Sequence, residues 1–292
     1  VPEELRAYLA TMHAAASERN LELRRQLEAV AVELNAVGIE PIALKGAIRL
    51  VDGLWPDPAF RFMHDLDLLL PAAVFTAGAV RLRARGWRVA DDATAAAEHH
   101  LSLVHPEAVT RVELHPAPLP PPHAALLPAG RMCAAARPVT LGAARIALPA
   151  LEDQLVHLVA HGMLQHAFLE NGRFLLRDLV EQTLLAARAG PDELWSARTR
   201  FAAAGFSLAW DVARDLGVRC LGAEASDGGS RTSRLLAARM MLQQRSTWAM
   251  QLLGPCGWLL ARALSGVAAT PPGAGLGALS DRLVLFRRKT LW

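Results

Sequence analysis

The stretch RFMHDLDLLL, residues 61–70, sets Asp65 and Asp67 one residue apart at the head of an apolar run. In a strand, residues two apart project from the same face, so the two carboxylates stand together. Like charges that close repel, and one of them takes up a proton unless a cation lies between. A divalent ion such as Mg2+, bound through carboxylates and substrate phosphates, suits that place. A solvated strand edge is the alternative. Further along, RVELH puts Arg111, Glu113 and His115 on one face of a second strand, with Val112 and Leu114 turned to the core. If the two strands pair, Glu113 is a third carboxylate at the same site and His115 its neighbour. Carboxylates in that arrangement serve in-line displacement at phosphorus. Upstream, LKG closes a strand where a helix begins. Its backbone amides, the helix dipole and Lys45 make a phosphate cradle at Lys45 and Gly46. Of 31 basic residues only Lys45 and Lys289 are lysines, and a compact ammonium kept amid arginines suggests a purpose at Lys45.

The remaining candidates are weaker. His157 and His161 stand i, i+4 on one helix, a spacing that can hold zinc, but no Glu follows His157 and no further ligand is evident. A polar helix face lining the interdomain cleft is the preferred reading. His99 and His100 open a strand and alternate in direction. Asp178 is expected to pair with Arg173 or Arg177.

Elements must position these groups. Residues 3–36 carry an amphipathic helical pattern closed near Gly38. PIAL (41–44), LDLLL (66–70), WRVA (87–90), HHLSLVH (99–105) and TRVELH (110–115) read as strands, with a helix after Lys45 and another before Gly86. The order α-β-α-β-α-β-β-β implies an α+β fold, a small mixed sheet backed by helices. Residues 119–148 read as a proline-rich connection. Five to seven helices follow, so the expected division is 1–36, 37–118, 119–148 and a helical domain over 149–292.

Composition narrows the class. Hydrophobic residues make up 52% and charged residues 20% of 292, with a net charge of +3. That charge and a single Tyr argue against a nucleic-acid surface. Cys133, Cys220 and Cys256 have no ligand spacing, and VPEELRAYLA has no signal-peptide character, so a reducing cytoplasm is expected. WAMQLLGPCGWLLARAL is interrupted by Gly, Pro and Arg and reads as a buried hairpin rather than a membrane crossing.

Taken together, PIALKGAIRLVDGLWPDPAFRFMHDLDLLL, EHHLSLVHPEAVTRVELH and LPALEDQLVHLVAHGMLQHAF with RFLLRDL resemble the uncharacterised bacterial nucleotidyltransferase family of the polymerase β-like superfamily, over about residues 37–185. The resemblance implies a nucleotidyltransferase domain with a helical partner, Mg2+, and a nucleoside triphosphate donor, ATP first. It implies Asp65, Asp67 and Glu113 as metal-binding and catalytic carboxylates, Lys45 and Gly46 as the phosphate-side turn, and Arg61 as the arginine before the pair. The acceptor would be a small molecule or peptide, and in this resemblance the His157–His161 face would look towards it, with His161 as a substrate-side candidate. Ala47 follows Gly46 where the wider superfamily has serine, and His64 replaces a small residue. Kinase-like phosphotransfer at the same site, or a binding or regulatory protein that keeps the nucleotidyltransferase fold without catalysis, are the alternative readings.

Overall fold

The computed structural model describes residues 1–90, 100–223 and 229–245. Seven strands form one mixed sheet: β1 (Ile42–Ala43), β2 (Asp65–Leu69), β3 (Arg88–Val89), β4 (Leu101–Val104), β5 (Arg111–His115), β6 (Arg137–Leu141) and β7 (Ala144–Leu148). Their order is β3-β4-β5-β2-β1-β7-β6; β2 runs parallel to β5 and β1 to β7, while the other pairs are antiparallel.

Two helical layers follow from strand alternation. Leu66, Leu68, Val112 and Leu114 point to one face, where they pack with α1 (Glu3–Asn35) and α3 (Ala72–Ala84). On α1 the buried positions Leu23, Leu27, Val30, Ala31 and Leu34 recur at helical spacing, and each buried leucine contributes roughly 1.5–3 kcal/mol. Gly38 adopts a left-handed φ of 77° and turns the chain, Ile39 N–H returning to Leu34 O at 3.0 Å. Between the first two strands lies the short α2 (Lys45–Arg49).

On the opposite face Ile42, Leu44, Leu69 and Ala147 join a second cluster with the later helices. These are α4 (Ala129–Ala135), α5 (Leu151–Ala160), α6 (Phe168–Asn171), α7 (Leu176–Arg188), α8 (Pro191–Ala203), α9 (Ser207–Leu221) and α10 (Arg231–Arg245). A π-helical turn, His161–Gln165, continues α5. No helix among the described residues is long and apolar enough to cross a membrane.

The first five strands fall where alternation predicts them. Residues 137–148 correct the expected 119–148 connection, because they form the β6–β7 hairpin of the same sheet. Pro138 is tolerated because β6 is the edge strand, where a missing N–H breaks no ladder. Gly142, at φ 57°, opens the two-residue turn, as a hairpin with glycine first requires. A Cβ there would run into the carboxylate of Glu28, which accepts the Ala143 N–H at 2.9 Å. The segments WAMQLLGPCGWLLARAL and FRRKTLW, with Cys256, Lys289 and His99, lie outside the described residues.

Candidate functional site

Register assembles the site. Parallel pairing of β2 with β5 sets Asp65 opposite Arg111, Asp67 opposite Glu113, and Leu69 opposite His115. Asp65, Asp67, Glu113 and His115 therefore share the face turned towards the later helices. Asp67, Glu113 and His115 offer ligand atoms all within 4.8 Å of one another, the converging set among the described residues. Asp65 lies on the same face beside that set but outside it. Across the antiparallel β4–β5 pair, Ser102 stands opposite Glu113 and is 3% exposed, and its Oγ has no partner among the described residues.

Lys45 closes the site from the neighbouring strand. Its Nζ donates to Asp67 Oδ1 at 2.7 Å, the same oxygen that accepts from His115 Nε2 at 2.8 Å. The turn carrying it is pinned by Leu44 N–H to Asp67 O at 3.0 Å. Lys45 itself sits at φ 47°, a left-handed conformation that costs a non-glycine residue roughly 1–3 kcal/mol. His115 Nε2 is also 3.8 Å from Glu113 Oε2, and His100 Nε2 is 3.6 Å from Glu113 Oε1.

Burial and charge drive the carboxylates apart. Asp67 is 1% exposed; burial alone would raise its pKa, but the Lys45 charge and the His115 hydrogen bond outweigh it and hold it well below the usual range. Glu113 is pushed up to about 7 by burial and then by the charges of Asp67 and Asp65. Asp65 is raised by burial and by Asp67. For Lys45, burial disfavours the ammonium, yet Asp67 raises its pKa overall.

Other expected residues take different places. Gly46 is buried, and a Cβ there would stand 2.7 Å from Met63 Cγ and Sδ, so any larger residue would force the buried Met63 side chain to shift. Arg61 is buried in an ion pair, its Nε donating to Glu181 Oε2 at 2.7 Å, while Arg49 Nε donates to Glu181 Oε1 at 2.9 Å. Arg49 also pairs with Asp52 and donates to Gln154 Oε1 at 2.8 Å. Despite its burial, Glu181 is kept below the usual carboxylate range by the two guanidiniums. Sequence reasoning missed Arg49, Gln154 and Glu181, whose partners lie more than a hundred residues apart. Asp178 pairs with Arg177 at 2.9 Å, as expected. His64 is exposed and lies edge-on to Phe62.

Three histidines from the opposite layer approach the same centre. His157 is 3% exposed. Burial and the Lys45 charge lower its pKa to about 3, and its ring is hydrogen-bonded to the Pro118 carbonyl. Its Nε2 has no partner among the described residues. The ring of His157 stands edge-on to His161 at 5.9 Å, and His161 to His166 at 4.3 Å. Burial, then Lys45, depresses His161 and His166 as well. His166 had no sequence signal beyond its type.

Set beside known proteins, residues 1–210 match a family model described as "Uncharacterised nucleotidyltransferase". That span holds the whole sheet, the helices through α8 and the start of α9. No curated protein matches the chain.

Proposed function

Because the chain belongs to this family of uncharacterised nucleotidyltransferases, we propose that it moves a nucleoside monophosphate from a nucleoside triphosphate to an acceptor hydroxyl. The donor is ATP in the first instance, and a divalent cation, Mg2+ by expectation, is held by Asp65, Asp67 and Glu113. The observation that carries this reading is the β2–β5 register, which aligns Asp67 with Glu113 and keeps Asp65 on the same face. The donor set fits a cation, since two carboxylates converge with His115 within 4.8 Å.

Each side chain has a distinct task. Lys45 leaves Asp67 to neutralise phosphate oxygens of the donor. Gly46 lets the turn pack against Met63, and Arg61 braces that turn through Glu181. Glu113 releases its proton when the site is loaded. His115 and His161 face the acceptor from the sheet and from the helical layer. When bound, the cation supplies positive charge to the donor phosphates and the leaving pyrophosphate. Positioning and electrostatics supply most of such catalysis.

A second reading has its own observation. Lys45 already neutralises Asp67 at 2.7 Å, which favours a protein that binds nucleotide without turnover. Phosphotransfer with release of ADP would use the same residues, and product analysis separates the two chemistries.

The test is a thermal-shift panel of ATP, GTP, CTP and UTP, with and without Mg2+, on the wild type and on Asp65→Asn and Asp67→Asn. A ligand at 100 times its dissociation constant stabilises by about 2.7 kcal/mol. A Mg2+-dependent shift with one nucleotide, lost in both variants, is the expected outcome. A shift that ignores Mg2+ and both substitutions would move the conclusion to the second reading. Once the acceptor is known, each variant is expected to lose turnover by more than roughly 100-fold.

A further inference from the structure

We infer that the His115 imidazole joins the carboxylates of this site as a direct ligand of its cation, through Nε2, and that the site therefore holds a transition-series divalent ion more tightly than Mg2+. The inference rests on the reading of the centre as a cation site and deepens it by naming the donor atoms and the metal class.

Geometry carries the argument. Ligands each about 2.1 Å from one ion stand roughly 3–3.5 Å from one another. His115 Nε2 lies 2.8 Å from Asp67 Oδ1 and 3.8 Å from Glu113 Oε2, which brackets that spacing. A nitrogen lone pair cannot face a carboxylate oxygen at 2.8 Å, so Nε2 carries a proton there. A cation shared by Nε2 and Oδ1 takes that place when the ring adopts its other neutral tautomer, with the proton moved to Nδ1.

A second observation points to an occupant. Ser102 Oγ is buried, without a partner among the described residues, and stands opposite Glu113 on the same face. A hydroxyl in that state lacks the hydrogen bond that a loaded site would give it, through a ligated carboxylate or an ion-bound water. His157 adds to this: Nε2 is buried and unpartnered among the described residues, while the ring is fixed by the Pro118 carbonyl. A ring nitrogen held by a backbone carbonyl is the usual support for a histidine whose other nitrogen meets a metal or an ion-bound water.

Donor chemistry then selects the ion. Mg2+ demands a near-ideal octahedron of oxygens and keeps several waters. Imidazole nitrogen shifts preference towards the later first-row ions, in the order Mn2+, Fe2+, Co2+, Ni2+.

The experiment uses Mn2+ alone, without nucleotide, on the full chain. Pulsed electron paramagnetic resonance of the bound ion is expected to show the nitrogen coupling of a directly ligated imidazole. His115→Gln is expected to abolish that coupling and to weaken Mn2+ by at least about tenfold, while Mg2+ affinity by calorimetry changes less. Mn2+ bound to the wild type without nitrogen coupling would overturn the inference and leave an all-oxygen cation site standing. Coupling that persists in His115→Gln would overturn the assignment to His115. Absence of binding by either ion, with or without nucleotide, would overturn both this inference and the proposed function. The wild-type spectrum needs no variant, and a melting curve of His115→Gln reports whether that chain folds.

Discussion

At the scale of single residues, the centre is organised by the contrast between Asp67 and Glu113. They face each other across two strands, yet Lys45 and His115 serve only Asp67 closely. Glu113 is left with burial and two like charges, and rises from 4.5 to about 7. Between those values the folded chain holds a proton that the unfolded chain has lost. Stability from this group is therefore full below about 4.5 and declines as pH rises towards 7. Asp67 has the opposite sign: its folded value is depressed, so its contribution is present above its ordinary 3.8 and is lost only in strong acid. Cation loading at pH 6 should then release close to one proton from Glu113, falling towards zero above pH 8. Calorimetry in buffers of different ionisation heat measures this, and a pH-independent release would refute it. The shared face of Asp67, Glu113 and His115 was legible in the sequence because it follows from two-residue alternation within each strand. Arg61 was legible only by resemblance, and its pairing with Glu181 was not, since nothing local in RFMHD points to a carboxylate on α7.

Among elements, the Arg49–Glu181–Arg61 bridge fastens α7 to α2 and to the loop before β2. Removing Glu181 leaves the buried Arg61 without a carboxylate and Arg49 with Asp52 and Gln154, and breaking a buried pair in this way costs about 3–5 kcal/mol. Glu181→Ala is expected to lose that much in urea denaturation, and Glu181→Gln, which keeps a hydrogen-bond acceptor, to lose less. Equal stability in both variants and the wild type would show the bridge to be dispensable. Strand positions were readable where apolar and polar residues alternate, as in LDLLL and RVELH. The β6–β7 hairpin was hidden by alanine, which marks neither face, and by Pro138, which argues against a strand unless it lies at an edge. Gly142 beginning a two-residue connection was the available signal.

At the scale of the whole molecule, the sheet is a shared wall. One face closes on α1 and α3, and the other forms a single cluster with the later helices, running from Ile42, Leu44 and Leu69 to Phe201, Trp210 and Met240. We propose that the expected helical domain over 149–292 is not separable from the sheet. A fragment of residues 1–150 would expose that second face and leave Arg49 and Arg61 without Glu181. It is expected to aggregate in size-exclusion chromatography and to lack a cooperative melt; a monomeric, cooperative fragment would restore a two-domain division. Composition placed the chain among globular proteins, but the two-sided burial of the sheet depends on contacts between segments far apart, which no local pattern encodes.

One consequence of the Lys45–Asp67 contact concerns labelling chemistry. The chain holds two lysines in 292 residues, and the Lys45 ammonium is clamped on Asp67 with its pKa raised. Free acylating reagents need the neutral amine, so Lys45 should react slowly with them in the wild type and faster in Asp67→Asn. A nucleoside triphosphate carrying an acyl phosphate at its γ end would instead deliver its acyl group to Lys45 from within the site. Peptide mapping of that adduct, and its suppression by the unmodified nucleotide, would report occupancy and rank the donor bases without any knowledge of the acceptor.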